Sequence, residues 1–170
     1  ILICAVARQG ETIIPSGDFA LRAGDKIYLT AAPRELEKFF RQLGVFRAKA
    51  SSVMIVGASK MCYYLATELL DMGMSVKIID QNEQRCVAMS EKLPRALVIA
   101  GDGTDSELLS EEGIAQTDAF VAITGLDEAN ILMALSAARQ SGDCCKVVAK
   151  INRKSLLELV SDESLIDSVV

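Results

Sequence analysis

The sequence predicts an α/β protein: a Rossmann-type, doubly wound parallel sheet preceded by a small α+β piece. Three observations carry this. From Val53 onward, short apolar runs alternate with helix-sized segments. Those runs are apolar almost throughout, as strands covered on both faces by helices are. The first run also leads through a glycine turn straight into a helix, VMIVGASKMCYYLATELL (53–70).

Residues 1 to about 32 read as short strands, among them ILICAV and KIYLT, broken by the turn signals PSGD (15–18) and AGD (23–25). PRELEKFFRQLG then sets Leu36, Phe39, Phe40 and Leu43 on one helical face, with Pro33 at its start and Gly44 past its end. FRAKASS (46–52) has no periodicity and reads as a linker. The expected strands of the sheet are VMIVG (53–57), SVKIID (75–80), ALVIAG (96–101), AFVAIT (119–124) and KVVAKI (146–151). Between the first two, Met61, Leu65, Leu69 and Met72 are expected to form the apolar helix face, with Gly73 as the residue that ends it. LDEANILMALSAARQSG reads as the clearest helix, ended by Gly142. Right-handed crossovers of this kind build a parallel sheet.

Composition narrows the function classes. At 51% hydrophobic and 24% charged, the chain can bury a full core. Its net charge of −5 argues against a chain-wide attraction to nucleic acid or anionic lipid. Apolar runs such as ALVIA (96–100) are strand-sized, far short of the roughly 20 residues that span a bilayer. The chain opens on ILICAVARQGE, without Met, without a basic leader and mid-strand by pattern, so it is expected to be a piece of a longer protein. Cys4, Cys62, Cys86, Cys144 and Cys145 form no C-x-x-C pair and read as small buried hydrophobes in a reducing cytoplasm. Histidine is absent, which removes Ser-His and Cys-His nucleophile pairs and His-based metal sites; no catalytic or metal-binding residue is expected.

In an open parallel sheet the ligand cleft lies beyond the carboxyl ends of the strands, so the residues just after each strand are the candidates. After the first come Gly57, Ala58, Ser59, Lys60 and Met61. A G-x-G-x-x-G turn would put glycine at 57, 59 and 62, yet only Gly57 is present. Ser59 narrows the place where backbone approaches a pyrophosphate, though its hydroxyl can donate to a phosphate. Cys62 replaces the glycine that packs the helix on the strand. Lys60 adds a positive charge near a helix N-terminus. After the second strand come Asp80, at the spacing of a ribose-binding acid, and Gln81. Asp80 as a plain turn or helix-start acid is the alternative. After the third come Gly101, Asp102, Gly103 and Thr104, with Thr104 or Asp105 able to cap the next helix. After the fourth come Thr124, Gly125 and Leu126, leading into Asp127, Glu128 and Asn130, expected to face the same cleft.

The series MIVGASKMCYYLA, IIDQNEQRC, GDGTD, AITGLDEANILMALSA and VVAKINRKS resembles the N-terminal lobe of an RCK or KTN domain, and IIPSGDFALRAGDKIYLTAAPRELEKFFRQLG resembles the end of the C-terminal lobe. The resemblance implies the end of one C-lobe at 1–44, a linker at 45–52 and a following N-lobe at 53–170, cut before the next C-lobe. It further implies a cytoplasmic, membrane-peripheral regulatory subunit of a potassium uptake system. Such domains form a homo-oligomeric ring beneath a membrane potassium channel or transporter subunit and bind NAD(H) or adenine nucleotides (AMP, ADP or ATP). The chain departs from the family at Ser59 and Cys62, which puts dinucleotide binding in question. Two other classes compete: a ligand-free lobe that serves ring assembly, and a nicotinamide-dependent oxidoreductase. The second lacks a substrate domain with an acid–base pair.

Overall fold

The computed structural model describes residues 1–44, 50–142, 145–160 and 166–169. Cys144 and positions 45–49 of the expected linker lie outside them. The chain divides into two compact units, 1–49 and 50–170.

The first unit is a three-stranded antiparallel sheet with one helix. Its strands are β1 (Leu2–Arg8), β2 (Glu11–Ile13) and β3 (Lys26–Thr30), in the order β2-β1-β3. Arg8 pairs with Glu11, which leaves Gln9 and Gly10 as a two-residue hairpin turn. Both have positive φ (52° and 83°), as a turn matching the right-handed twist of the strands requires. This turn was not among those expected from the sequence. Arg8 grips Asp25 with two bonds of 2.7 Å, which clips β1 to the start of β3. Helix α1 (Pro33–Gln42) begins on its proline and is followed by Gly44 at φ 68°. Along its apolar stripe Leu36 and Phe39 are half-buried, whereas Phe40 and Leu43 are exposed.

The second unit is a six-stranded, wholly parallel sheet: β4 (Ser52–Val56), β5 (Ser75–Asp80), β6 (Leu97–Ala100), β7 (Ala119–Ala122), β8 (Lys146–Ala149) and β9 (Ser168–Val169). Their spatial order is β6-β5-β4-β7-β8-β9, so the direction of winding reverses between β4 and β7. Five strands coincide with the expected runs, and β9 is an addition. The helices are α2 (Lys60–Asp71), α3 (Glu83–Lys92), α4 (Ser106–Glu111), α5 (Asp127–Ser141) and α6 (Lys154–Val160). On one face α5 packs Met133, Ala134 and Ala137 against Met54, Phe120 and Val147. On the other, α2 and α3 cover Val53, Ile55, Ile78 and Val121.

Helix α2 corrects the expected helix face. Its buried stripe is Cys62, Ala66 and Leu70, while Met61 and Met72 are 51% and 59% exposed and Leu65 and Leu69 are half-buried. Close approach of a helix to a sheet calls for small side chains along the contact line, and Cys62 and Ala66 supply them. Gly73 ends the helix at φ 82°. Its N–H donates to Leu70 O and that of Met74 to Leu69 O, the paired bonds of a Schellman motif.

Candidate functional site

Where the winding reverses, the loops after β4 and β7 diverge and leave a cleft of about 340 Å³. It is lined by Gly57 and Ser59 after β4, Asp80 and Gln81 at β5, Asp102, Gly103 and Thr104 after β6, and Thr124, Gly125 and Leu126 after β7. Ten of the candidate residues therefore share one space. Its floor is apolar, made by Val56, Ile123, Ala129 and Met133.

Two glycines have physical reasons to be there. Gly57 sits at φ 111°, and a Cβ on it would stand 3.0 Å from Ile123 and Thr124 backbone atoms, so the turn out of β4 lies flat on the end of β7. A Cβ at Gly103 would come within 2.2 Å of Val56 Cγ1 and 3.2 Å of Met133 Sδ. Bare backbone there closes the cleft floor.

Ser59 is the N-cap of α2, its Oγ accepting the Cys62 N–H at 3.3 Å. The serine thus satisfies one of the free helix-start donors that an anion would otherwise engage. Cys62 is fully buried behind it. Burial, reinforced by the charge of Asp80, pushes its thiol up to about 12, so it stays neutral.

Asp80 is buried at the end of β5, and both its oxygens are engaged. Oδ2 accepts the Ala58 N–H (2.7 Å), while Oδ1 accepts the Asn82 N–H (2.8 Å) and pairs with Arg85 (3.0 Å). It ties the glycine turn to the start of α3, which is the turn-acid role, while still reaching the cleft wall. Asp102 accepts the Thr104 N–H (2.8 Å) and hydroxyl (2.7 Å). Those bonds, with a further one from Gln81, hold its carboxyl below the usual range, so it faces the cleft as an anion. Asp105, not Thr104, caps α4.

Four candidates fall outside the cleft. Ala58 and Lys60 line an adjoining groove. Met61 lines neither space and projects outward. Gly101 is pressed against the Leu108 side chain. Asp127, Glu128 and Asn130 do not line the cleft either, contrary to expectation. Asp127 instead accepts the N–H groups of Asn152 and Arg153, both at 2.9 Å. Asn130, fully buried, takes the Thr124 N–H (2.9 Å) and hydroxyl (2.6 Å) on Oδ1 and gives its amide to Lys150 O (2.9 Å). Asn130 thus holds the β7 loop in place, and Asp127 ties the start of α5 to the segment after β8. Arg85 was missed: it lines the cleft wall five residues after Asp80, and its position soon after that candidate acid was the available signal.

Residues 53–170 match the TrkA-N domain family, and residues 1–44 match the TrkA-C domain family. The chain is 37% identical over 158 residues to the Trk system potassium uptake protein TrkA of Vibrio alginolyticus, covering 93% of this chain and 34% of that protein. A TrkA homolog 1 of Methanosarcina mazei is 35% identical over 160 residues, covering 93% and 39%. The chain thus spans about a third of the length of the curated relatives it matches. Among solved structures, the GsuK RCK domain superposes with a TM-score of 0.65 at 21% identity, over 99% of this chain and 35% of that one. The TrkA-N domain of the inner membrane protein YbaL from Escherichia coli gives 0.60 at 15% identity, over 73% and 89%. A GsuK channel bound to NAD gives 0.60 at 17% identity, over 80% and 25%. At these identities the structural likeness shows the fold.

Proposed function

We infer that this chain, which belongs to the TrkA-N domain family through residues 53–170, is part of a regulatory, nucleotide-sensing subunit of a potassium uptake system. Residues 1–44 are read as the end of the preceding TrkA-C lobe. The subunit acts from the cytoplasmic side on a TrkH-like membrane channel or transporter subunit, within a homo-oligomeric ring of such domains. Among the described residues no helix is long and apolar enough to cross a membrane, so the potassium path belongs to the partner in this reading. A nucleotide in the cleft favours one arrangement of lobes over another and shifts gating through its differential affinity for the two.

The observation that carries the reading is the single cleft at the strand-order reversal, lined by loops from four strands. The altered turn bears on the ligand. With Ser59 capping α2 and carrying a side chain where a pyrophosphate needs bare backbone, a mononucleotide such as AMP, ADP or ATP binds better than NAD(H). Its adenosine lies against Asp80 and Asp102, and its phosphate points toward Ser59 and Lys60.

Calorimetric titration with AMP, ADP, ATP, NAD and NADH tests this. The expected order places a mononucleotide ahead of NADH, and Ser59→Gly combined with Cys62→Gly shifts the balance toward NADH. Tighter binding of NADH by the parent chain overturns the ligand assignment. A second reading, a lobe that serves ring assembly without a ligand, is favoured by the internally engaged carboxylate of Asp80. It predicts an oligomer by light scattering and no heat with any of the five nucleotides.

A further inference from the structure

Beside the cleft, between α2 and α3, runs a groove of about 470 Å³ that shares Ser59 and Arg85 with it. Its charged lining is Lys60, Arg85 and Lys92, three cations without a carboxylate, on a chain whose net charge is −5. The ammonium of Lys60 stands 5.9 Å from the ring centre of Tyr64 and that of Lys92 stands 6.0 Å from the ring centre of Tyr63. Two neighbouring rings thus hold the two lysines along the groove wall. Among the described residues neither lysine has an acidic partner within salt-bridge reach. Lys60 also opens α2, where the helix dipole disfavours a cation, so helix stability does not account for it.

The state of Asp80 supplies the complementary half. In a dinucleotide fold the acid after the second strand accepts from the ribose diol, or an arginine nearby takes a 2′-phosphate in its place. Here both carboxylate oxygens already hold internal donors, and Arg85 neutralises the charge from the cleft side. A free diol finds one acceptor position left on Oδ2, the other three being taken. A phosphate on the same ribose oxygen finds Arg85 at the junction of cleft and groove, with Lys92 beyond it. The planar fork of Arg85 has five N–H donors, enough to keep Asp80 and bind a phosphate together.

We propose that the α2–α3 groove is a phosphate subsite for the adenosine ribose, so that the site selects 2′-phosphorylated adenine nucleotides, of the 2′,5′-ADP and NADP(H) type, over those with a free diol. The inference rests on the reading of the cleft as an adenine-nucleotide site. It concerns the ribose substituent and is independent of how well the turn tolerates a pyrophosphate.

The test is calorimetric titration of the chain with 5′-AMP, ADP and 2′,5′-ADP, the last two carrying the same number of phosphates in different places. The 2′,5′-ADP is expected to bind about tenfold or more tightly than 5′-AMP, since charge-assisted bonds to one phosphate are strong. Lys92→Glu, on the exposed side of α3, is expected to abolish that gain and leave ADP within about threefold. Binding of 5′-AMP without any gain from the 2′-phosphate overturns the subsite and leaves the cleft reading standing. A gain that survives Lys92→Glu, or an equal loss for ADP and 2′,5′-ADP, overturns the placement in this groove. If none of the three binds, the cleft reading falls and the subsite falls with it.

Discussion

In the sheet domain Phe120 is sealed from solvent beneath α5, whereas in the N-terminal unit Phe40 keeps 36% of its surface exposed. The contrast extends to whole elements. Met54, Ile55, Ile78, Ile79 and Val147 are all below 2% exposed in the parallel sheet. In residues 1–44 Val6 alone among the described residues reaches full burial, while Ile14, Leu2 and Leu43 are 84%, 63% and 57% exposed. A parallel sheet wrapped on both faces buries most of its central strands, but a three-stranded sheet with one short helix has too little surface to cover its own. The first unit is therefore held by its hairpin ladder and by the Arg8–Asp25 pair, the second by its core. Different substitutions should break each.

The largest expected effect belongs to the core. Phe120→Ala should destabilise the sheet domain by about 3–5 kcal/mol, the range for deleting a buried aromatic ring. Chemical denaturation followed by signals from residues 50–170 reads this. A loss under about 1 kcal/mol would mean that the two-sided core is not what holds the sheet.

Next comes Arg8→Ala, which should release the start of β3 and raise amide exchange through residues 1–30 while leaving the strands from β4 onward protected. Exchange that rises equally in both units would show that they do not open independently. A pH series separates the units more finely. The Arg8 guanidinium, helped by the Arg22 N–H, holds the Asp25 carboxyl down at about 2. In the sheet domain the N–H and hydroxyl of Ser51, then those of Ser52, hold Asp118 at about 2. Both folded values lie below the unfolded one of roughly 3.9, so each carboxylate stabilises its unit above that pH and the gain disappears as pH falls toward 2. Asp118→Asn should flatten this acid dependence in the sheet domain and leave that of residues 1–44 unchanged.

The periodicity of the sequence carried the strands and the cleft further than it carried side-chain roles. Strand runs from Val53 to Ala149 were legible because strands covered on both faces form nearly continuous apolar runs. Ser168–Val169 was not, since two residues have no period. The α2 face was misphased because size was read as burial: Met61 and Met72 are larger than Cys62 and Ala66, yet the close contact needs the small ones. The residues converging on the cleft followed from topology, a consequence of strand order alone. What the carboxylates do there did not. Spacing puts Asp80 and Asp127 at strand or helix ends, but only folding brings Ala58, Asn82, Asn152 and Arg153 N–H groups onto their oxygens.

The smallest expected effect is also the sharpest test of the comparison, because it makes one chemical change in both units. Leu109→Ala removes a side chain with no solvent exposure from beneath the sheet and should cost about 2–5 kcal/mol. Leu43→Ala removes the same atoms just past the end of α1, where more than half of the leucine already faces water. Little transfer free energy is lost there, no enclosed cavity forms, and alanine suits a helix terminus at least as well, so the change should stay within about 0.5 kcal/mol. Denaturant midpoints of the two variants, measured at two protein concentrations, read the difference. A Leu43→Ala cost that approaches that of Leu109→Ala and grows with concentration would mean that a second copy covers this end of α1 in solution. The poor burial of the first unit would then be a property of the single chain, and its missing core would be supplied by association.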